Sequence, residues 1–458
     1  MSTAHWKSGH RNLSTQSAFI PALAAALVVG IAVPGFATEP AAAVTAPNGL
    51  PWLQTFSNDF TSANAQTYLN QWTANWGTGA QDGLTGWGNN EWEYYNDATT
   101  SGNLSNSNLY VNSNGLNITA IVPSNFTTPD GTSTHHPVNS TEITSAKIDS
   151  SNYFSQTYGL FQWTASAPSG SGLWPALWMM PKNSSYGGWP KSGEIDVFES
   201  GGGGLSANHQ EQGSYHSGPS YDISATAVYG PSGYDTRTTH TYDMLWLPAG
   251  ATFNHTTYPH GVLSWYVDGA LYETQTGSNA GTNSTGWYNP GGSGATNAAP
   301  FDKPFYFIMN MAVGGQYPGY STPNSRPPIA AGSYTMTISD VEAFSIPIAG
   351  DINRDGHLDA KDVTAMESAL TDPTDFATAN GITTAQLSLI GDVNGDGKFN
   401  SADVQALLSE LKSGGGSTSS VPEPSTFVLL ALGALMVRKR KMIDGSVSSK
   451  NPALDRRA

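Results

Sequence analysis

Cysteine is absent from the 458 residues of the chain, and charged residues are scarce, at 12%. The absence of cysteine excludes disulfides, thiolate zinc sites, iron–sulfur clusters and cysteine nucleophiles. Basic residues are also few, 19 against 35 acidic ones, which gives a net charge of −16. A nucleic-acid binder needs a basic face to replace the counterions of phosphate groups. We therefore expect no nucleic-acid partner, and the length allows about two to three domains.

Residues 1–37 have the three parts of a secretory signal peptide. Two basic residues, Lys7 and Arg11, precede an apolar stretch that ends in small residues at Ala37, the expected cleavage point. A membrane anchor is the alternative, but two prolines leave the apolar run too short for a span of about 20 residues. We predict that the chain is exported.

The C-terminal end has a three-part pattern that follows a Gly/Ser linker at 413–420. A VPEPS segment at 421–425 precedes an apolar run at 427–437 and four consecutive cations at 438–441. The apolar run is able to enter a membrane while the cations hold its end in the cytoplasm. A buried amphipathic helix is the alternative, which the linker before the pattern and the cations after it disfavour.

This pattern resembles the PEP-CTERM sorting tail of Gram-negative bacteria. The resemblance implies a sorting segment at 421–441 and an exosortase-type processing enzyme as a partner. It also implies a location in the cell envelope or outside a Gram-negative-type bacterium. The polar tail at 442–458 is longer than the family usually carries after its basic cluster.

A tandem calcium-type loop occupies residues 351–362 and 392–403. In each copy, oxygen-bearing side chains stand at loop positions 1, 3, 5 and 12, and glycine stands at position 6, where the chain must turn sharply. Position 7 is expected to contribute its backbone carbonyl, and a helix is expected after each loop. The candidate calcium-binding residues are Asp351, Asn353, Asp355, His357, Asp362, Asp392, Asn394, Asp396, Lys398 and Asp403.

The loop–helix order and the aspartate at position 12 resemble the dockerin module, here a small α-helical unit at 347–412. The resemblance implies structural calcium and a cohesin-bearing scaffold as a partner. A calcium-stabilised spacer without a partner stays open as the alternative, because the sequence shows ligands and no partner. No organic cofactor is expected.

The main body, residues 38–346, contains many short segments in which apolar and polar residues alternate, such as 116–121 and 262–267. Clusters of Gly, Asn, Ser and Pro separate these segments, and helical periodicity is hard to find. Many short strands with turns between them predict an all-β sandwich or jelly roll of roughly 250 to 300 residues.

Three carboxylates stand close together in this region, at Glu194, Asp196 and Glu199. On a strand, Glu194 and Asp196 share a face, and Glu199 has the wrong parity for that face. One β-bulge at Val197 and Phe198 adds a residue and corrects the parity, so that the two glutamate carboxyls can approach the separation of about 5–5.5 Å that a retaining glycosidase needs. We predict Glu194 as nucleophile and Glu199 as acid/base, with Asp196 as a hydrogen-bond partner of Glu194. A calcium site or a solvated strand face is the alternative.

The acidic segment, EIDVFE, resembles the bulged signature of glycoside hydrolase family 16. Other family-like stretches follow in the expected order and extend the resemblance over nearly all of residues 52–345. They lie at 86–95, 144–148, 172–181, 265–269 and 304–315. The resemblance points to the laminarinase branch, and it implies a concanavalin-like β-jelly-roll that hydrolyses β-1,3-glucan internally with retention. It implies the same roles for the three acids, and a structural calcium through Asp59 and Asp340.

Substrate contacts are predicted where aromatic rings can stack on sugar rings and where polar groups can bind hydroxyls. The candidates are Trp174, Trp178, Trp189 and His216 around the acidic strand, with Asn90 and Glu91 added by the resemblance. For each tryptophan, packing in the core is the alternative.

Two features depart from the family. Lys147 stands where the family commonly has arginine, which removes the planar, bidentate guanidinium. An insert at 127–140 carries the pair His135 and His136 and is expected to reshape the cleft.

Three functions stay open. The first is a secreted endo-β-1,3-glucanase that works by double displacement and also accepts mixed-linkage β-1,3-1,4-glucan. The second is an agarase or carrageenase of the same fold, for which the low positive charge gives sulfated chains little to bind. The third is a β-glucan-binding protein without activity, a class that loses the acidic pair retained in this chain.

Overall fold

The computed structural model describes residues 44–136, 138–201, 209–320 and 325–415. The predicted signal peptide, the sorting segment and the polar tail lie outside the described residues. Within the described ranges, no helix is both long enough and apolar enough to cross a membrane.

Strands dominate the region from Leu53 to Ser345, where the only α-helix in the described part is the short α1, Ala65–Leu69. The first ten strands are β1 (Leu53–Asp59), β2 (Thr73–Ala74), β3 (Glu93–Tyr95), β4 (Leu109–Asn112), β5 (Gly115–Val122), β6 (Ile143–Ser145), β7 (Lys147–Asp149), β8 (Gly159–Ser166), β9 (Leu173–Pro181) and β10 (Glu194–Glu199). The later strands are β11 (Glu211–Ser217), β12 (Ile223–Tyr229), β13 (His240–Leu247), β14 (Ala251–Phe253), β15 (Thr256–Tyr258), β16 (Val262–Val267), β17 (Ala270–Ala280), β18 (Trp287–Asn289), β19 (Phe305–Val313) and β20 (Gly332–Ser345).

These strands form two large sheets, which we call the front and the back sheet, and a separate hairpin of β14 and β15. The front sheet has seven strands in the order β12-β11-β10-β9-β19-β7-β2. The back sheet has 11 strands along the path β18-β17-β16-β13-β8-β20-β5-β6-β3, with β1 paired to β20 and β4 paired to β5. Most neighbours are antiparallel, and β3–β6 and β17–β18 are parallel.

The core lies between the two sheets and is rich in aromatic rings. Phe307 of the front sheet packs edge-on against Trp163 of the back sheet, with ring centroids 4.9 Å apart. It also contacts Phe56, Trp72 and Phe161, and these residues all belong to one buried cluster. Burial of so much apolar area between two sheets is what holds a sandwich together. The prediction of an all-β sandwich is confirmed.

The first and last strands of the sandwich lie side by side in the back sheet. Leu53 pairs with Ser345, and Asp59 pairs with Asp340, in an antiparallel ladder. The chain therefore enters and leaves the sandwich through the same sheet.

A helical module follows the sandwich, with helices α2 (Ala360–Thr371), α3 (Pro373–Ala379), α4 (Thr384–Gly391) and α5 (Ser401–Glu410). The predicted helices after the two loops are α2 and α5, and each begins with a capping box, at Asp359 and at Asn400. Sequence reasoning missed α3 and α4 between them. The four helices bury a small apolar core that includes Met366, Leu387 and Leu407.

Polar contacts join the module to the sandwich, and one of them comes from the first calcium-type loop. Arg354 of the first loop donates a hydrogen bond from Nη2 to the carbonyl of Trp52, at 2.6 Å, just before β1.

Candidate active site

The acidic strand β10 carries the predicted bulge. Asp196 lies opposite Trp178 of β9, and Glu199 lies opposite Ala176, so three steps along β10 match two steps along β9. The register shift falls at Val197, the extra residue. An added residue reverses the side to which the following side chains point. The prediction of a bulge at this point is confirmed.

A tryptophan from the back sheet stabilises the bulge. A bulge removes backbone groups from the ladder, and a buried carbonyl without a donor is costly. Here the indole N–H of Trp265 in β16 donates to the carbonyl of Asp196 at 2.8 Å. Gly213 of β11 makes room for that indole, because a Cβ at this position would lie 2.3 Å from Cδ1 of Trp265.

Each acid lies opposite a polar residue of β11. Glu194 pairs with His216, Asp196 with Ser214, and Glu199 with Gln212. The three β11 residues are two apart along a strand and so share one face. Gln212 and Ser214 also bond to the acids opposite them, and the three acids therefore lie on the outer face of the front sheet. Sequence reasoning missed Gln212 and Ser214, which the alternation within the GSYH strand could have indicated.

Indole N–H groups hold the two glutamates. Trp189 donates to Oε2 of Glu194 at 2.5 Å, and Trp174 donates to Oε1 of Glu199 at 2.8 Å. Gln212 donates to the other oxygen of Glu199 at 3.1 Å. Both carboxyl groups are therefore oriented by neutral donors, and these hydrogen bonds lower the pKa of each glutamate against the larger effect of burial.

Asp196 bonds to residues that differ from the expected partner. Its Oδ2 accepts a hydrogen bond from Ser214 Oγ at 2.7 Å and lies 3.2 Å from Nε2 of His216. The sequence predicted a hydrogen bond to Glu194, whereas the carboxylate faces β11. The other ring nitrogen of His216 contacts Asp222 at 2.8 Å, so that this imidazole lies between two carboxylates.

Burial and mutual repulsion govern the ionisation of the site. Burial, followed by the charge of Asp196, raises the pKa of Glu194 to about 8 and that of Glu199 to about 7. Burial alone would lower the pKa of His216, but its hydrogen bonds to Asp196 and Asp222 raise that pKa to about 12. His216 is therefore an imidazolium at neutral pH, and the two glutamates titrate as a coupled pair.

The predicted aromatic contacts differ in exposure. Trp189 is 55% exposed. Trp174 is half-buried and packs on Tyr317, with ring centroids 5.0 Å apart. Trp189 is thus the most accessible of the predicted stacking residues.

Trp178 is also half-buried, and it lies beside the unusual lysine. Its indole N–H donates to Oδ1 of Asn310 at 2.7 Å. Nζ of Lys147 lies 4.9 Å from the ring centre of Trp178 and 4.5 Å from that of Trp87. Burial lowers the pKa of Lys147, while Glu91 and Glu194 raise it in part. The cation is thus held between two indoles on the side of Glu194.

Asn90 and Glu91 lie beside a cavity next to this face. Glu91 is buried, and its two oxygens accept hydrogen bonds from Asn89 at 3.1 Å and from Tyr95 at 3.3 Å. Burial, followed by the charge of Glu91, raises the pKa of the adjacent Glu93 well above its ordinary range. The cavity is lined by Thr78, Ala80, Thr85, Gly86, Asn90, Glu91, Thr128, Pro129 and Gly131. Three of these residues come from the insert.

The first calcium-type loop has its acidic side chains turned inward. Oδ1 of Asp351 accepts from the N–H of Asp355 at 3.1 Å, and Oδ2 accepts from Gly356 at 3.0 Å. Asp362 is fully buried and accepts from the N–H of Asn353 at 3.2 Å. Burial, followed by the charge of Asp362, raises the pKa of Asp351 to about 6. Buried carboxylates that repel one another in a turn of this kind fit a hard cation.

The second loop repeats this geometry. Asp392 accepts from Asp396 at 3.0 Å and from Gly397 at 2.8 Å, and the buried Asp403 accepts from Asn394 at 3.2 Å. At position 7, His357 and Lys398 have side chains of a type that calcium does not prefer, so the backbone carbonyl is the group available there.

Asp59 and Asp340 lie opposite each other on β1 and β20. Burial, and then the charge of Asp59, raises the pKa of Asp340. This pair also offers oxygens of the kind that calcium binds.

Three family models match separate parts of the chain. The model of the XgeA-like catalytic GH16 domain matches residues 92–248. The dockerin type I model matches 349–412, and the PEP-CTERM protein-sorting motif matches 420–441, outside the described residues. The last two matches agree with the resemblances seen in the sequence.

Several proteins resemble the chain along the sandwich. A glucan endo-1,3-beta-glucosidase of Cryptopygus antarcticus is 32% identical over 243 residues, which are 52% of this chain and 74% of that protein. Glucan endo-1,3-beta-glucosidase A1 of Niallia circulans is 34% identical over 305 residues, but the chain spans only 37% of its length. The laminarinase catalytic domain of Thermotoga maritima aligns with 64% of this chain and 98% of that domain, at 27% identity and a TM-score of 0.47.

Proposed function

The chain belongs to glycoside hydrolase family 16, and we propose that it is an exported, retaining endo-glycosidase that hydrolyses β-1,3-glucan of the laminarin type. Mixed-linkage β-1,3-1,4-glucan is the second candidate substrate. The observation that carries the proposal is the bulge in β10, after which Glu194, Asp196 and Glu199 share the outer face of the front sheet.

Hydrolysis proceeds in two displacements. The carboxylate of Glu194 attacks the anomeric carbon, while Glu199 gives its proton to the glycosidic oxygen, so that the bond to the leaving sugar breaks. Glu199, now ionised, takes a proton from water, and the resulting hydroxide displaces Glu194 from the anomeric carbon. Two inversions give net retention. The raised pKa of Glu199, about 7, suits a group that must act first as an acid and then as a base.

Asp196 of β10 and His216 of β11 support these steps. The imidazolium of His216 offsets negative charge while Glu194 is ionised, and Ser214 fixes the carboxylate of Asp196. Glu194 thus remains an effective nucleophile despite its acidic neighbours, because a cation close to the cluster favours the ionised state.

The choice of a glucan rests on charge and on the relatives. A chain with 19 basic residues and a net charge of −16 has little to attract sulfated galactans. The Cryptopygus antarcticus and Niallia circulans proteins are both glucan endo-1,3-beta-glucosidases by name. Stacking of sugar rings on Trp189 and Trp174, with polar contacts from His216, Asn90 and Glu91, is the binding mode that we propose.

A reducing-sugar assay on laminarin, lichenan, agarose and carrageenan tests the substrate class. We expect the highest turnover on laminarin, and NMR of the first product should show the retained anomer. Glu194→Gln should abolish turnover and leave glucan binding intact, whereas Glu273→Gln in β17 serves as a matched control. Higher activity on agarose or carrageenan would assign the chain to the galactan-degrading enzymes, and an inverted product would refute the mechanism.

We also propose that the two loops of the helical module hold structural calcium through their aspartate and asparagine oxygens and the carbonyls at position 7. A further calcium between Asp59 and Asp340 would relieve their repulsion across β1 and β20. The module, at 347–412, is proposed to bind a cohesin-bearing scaffold. An exosortase-type enzyme is proposed to process the tail, which directs the exported chain to the cell envelope or beyond it.

A further inference from the structure

The insert that departs from the family forms a loop with a closed base. The N–H of Thr127 donates to the carbonyl of Thr141 at 3.0 Å, and the two threonine hydroxyls lie 3.5 Å apart. Within the loop, the hydroxyl of Tyr94 in β3 donates to the carbonyl of His136 at 3.2 Å. The loop is therefore fixed at its base and at one point along its length.

Two side chains of this loop and one that directly follows its base converge. Nε2 of His136 lies 3.1 Å from Oδ2 of Asp130 and 3.8 Å from Oε1 of Glu142. One ligating atom from each residue lies within 4.8 Å of those of the other two. The exposed fraction of the side chain is 6% for Glu142, 20% for His136 and 38% for Asp130. The cluster is therefore buried at Glu142 and accessible to solvent at Asp130.

These separations fit a small tetrahedral ion. Ligands at about 2.0–2.1 Å from a tetrahedral zinc ion lie about 3.3 Å from one another. The observed 3.1 and 3.8 Å are close to that spacing and need only small side-chain movements. Calcium prefers six to eight oxygen ligands at longer distances, and an imidazole ligand instead favours zinc and similar transition metals.

The surroundings are acidic and orient the ligands. The other oxygen of Glu142 accepts a hydrogen bond from the N–H of Asn139 at 2.8 Å, which aims Oε1 at His136. Two carboxylates thus converge on one imidazole, an arrangement that favours a cation.

We propose that Asp130, His136 and Glu142 bind one divalent transition-metal ion of the zinc type, with a solvent molecule as the fourth ligand. The neighbouring His135 is not part of this site, because its Nε2 contacts Asp97 at 2.7 Å. The ion ties the middle of the loop to its base.

The site affects the cleft through the same loop. Thr128, Pro129 and Gly131 line the cavity that Asn90 and Glu91 also line. A metal ion at Asp130 fixes that wall, since Asp130 stands between Pro129 and Gly131. This consequence for substrate binding rests on the proposed function, whereas the metal site does not.

Titration of the full chain with zinc, measured by calorimetry, tests the site. Excess calcium is present to keep the calcium-type loops filled. We expect His136→Ala to lose one zinc equivalent. Asp130→Asn should weaken that equivalent by at least about 100-fold, which exceeds the 10- to 100-fold cost of losing an outer-shell partner. His135→Ala should bind as the wild type does. His216→Ala alters the other cluster of three converging His, Asp or Glu side chains found in the described residues, and it should keep this equivalent.

Limited proteolysis gives a readout that is independent of affinity. Zinc should slow cleavage within residues 127–142 of the wild type and of His135→Ala, and should leave cleavage of Asp130→Asn unchanged. Asp130 is the most exposed of the three ligands, so this variant decides the question even if His136→Ala does not fold. Isotherms of both ligand variants that superimpose on the wild type would overturn the site.

Discussion

His216 sets the charge balance of the site at the scale of single residues. Its two ring nitrogens contact Asp196 at 3.2 Å and Asp222 at 2.8 Å. One positive charge thus lies between the carboxylates of Asp196 and Asp222, and it also lowers the pKa of Glu194 and of Glu199. The protonation state of this imidazole therefore affects the protonation of the glutamate pair.

The pH dependence of turnover follows from Glu199. Its pKa of about 7 means that the protonated fraction falls as the pH rises through neutrality. The first displacement needs Glu199 protonated and Glu194 ionised, so we expect kcat/KM on laminarin to be highest near neutral pH and to decline on the alkaline side, where the pair loses its last proton. Glu199→Gln should lower kcat on the polysaccharide by about 10²- to 10⁴-fold and remove this alkaline limb. A rate that stays constant from pH 6 to 9 in the wild type contradicts the assignment.

Asp222→Asn tests the charge of His216. Removal of a carboxylate partner lowers the pKa of an imidazole, so we expect the NMR titration of His216 to shift to lower pH. The charge of His216 lowers the pKa of Glu199, so loss of the imidazolium should raise that pKa and move the alkaline decline of activity to higher pH. Asp268→Asn is the matched control, since it removes an equivalent contact of 2.7 Å to His240 outside the site. Equal pH profiles for Asp222→Asn and the wild type would show that His216 does not set the charge balance of the site.

At the scale of elements, the site depends on how β10 departs from a regular strand. The bulge at Val197 turns Glu199 to the outer face, and the buried carbonyl of Asp196 accepts a hydrogen bond from Trp265 of the opposite sheet. The geometry of the acids is therefore fixed in part by the core behind them, through a side chain that never touches the outer face.

Trp265→Phe should loosen the bulge. The buried carbonyl of Asp196 loses its donor, and we expect a loss of about 1–3 kcal/mol in the free energy of unfolding, measured with denaturant. Activity should fall as well, because the glutamates lose their relative position. Trp246→Phe is the control, since its indole also donates to a buried carbonyl, that of Phe301 at 3.2 Å. It should lower stability similarly without lowering kcat, and an equal loss of kcat in both variants would count against a special role of the bulge.

Features within one element could be predicted from the sequence, whereas contacts between elements could not. Parity within one strand was enough to predict the bulge, because face alternation is a local rule. The partners of Asp196 come from β11, and the register between two strands is not visible in either one alone. Likewise, the helices after the loops were predicted from local spacing, whereas α3 and α4 were missed in a stretch without ligand residues. Trp265, far along the chain, had no local signal that linked it to Asp196.

At the scale of the whole molecule, the sandwich and the helical module have separate cores, which are stabilised in different ways. Asp351, Asp362 and Asp403 are buried carboxylates in the module, and they are costly to bury without a cation. Trp163, Phe307 and their neighbours hold the two sheets together by apolar burial alone. Loss of calcium from the loops should therefore affect one part of the chain more than the other.

Chelation of calcium in the full chain should expose the module to protease. We expect new cleavage within residues 351–412, because calcium at about 100 times its Kd stabilises a site by about 2.7 kcal/mol. Asp351→Asn should be cleaved there at lower chelator concentration than the wild type. Asp375→Asn, at an exposed position of α3 outside the loops, should match the wild type. Protection that is indifferent to chelator would contradict calcium binding by the loops.

The ladder between β1 and β20 determines which sheet would carry the load in the proposed attachment through the helical module. Whatever grips the chain beyond Ser345 pulls on the back sheet, while the three acids face outward from the front sheet. In the proposed attachment through the helical module, the tether would leave from the back sheet while the acids face outward from the front sheet, so that a polymer could reach the carboxylates without meeting the attachment.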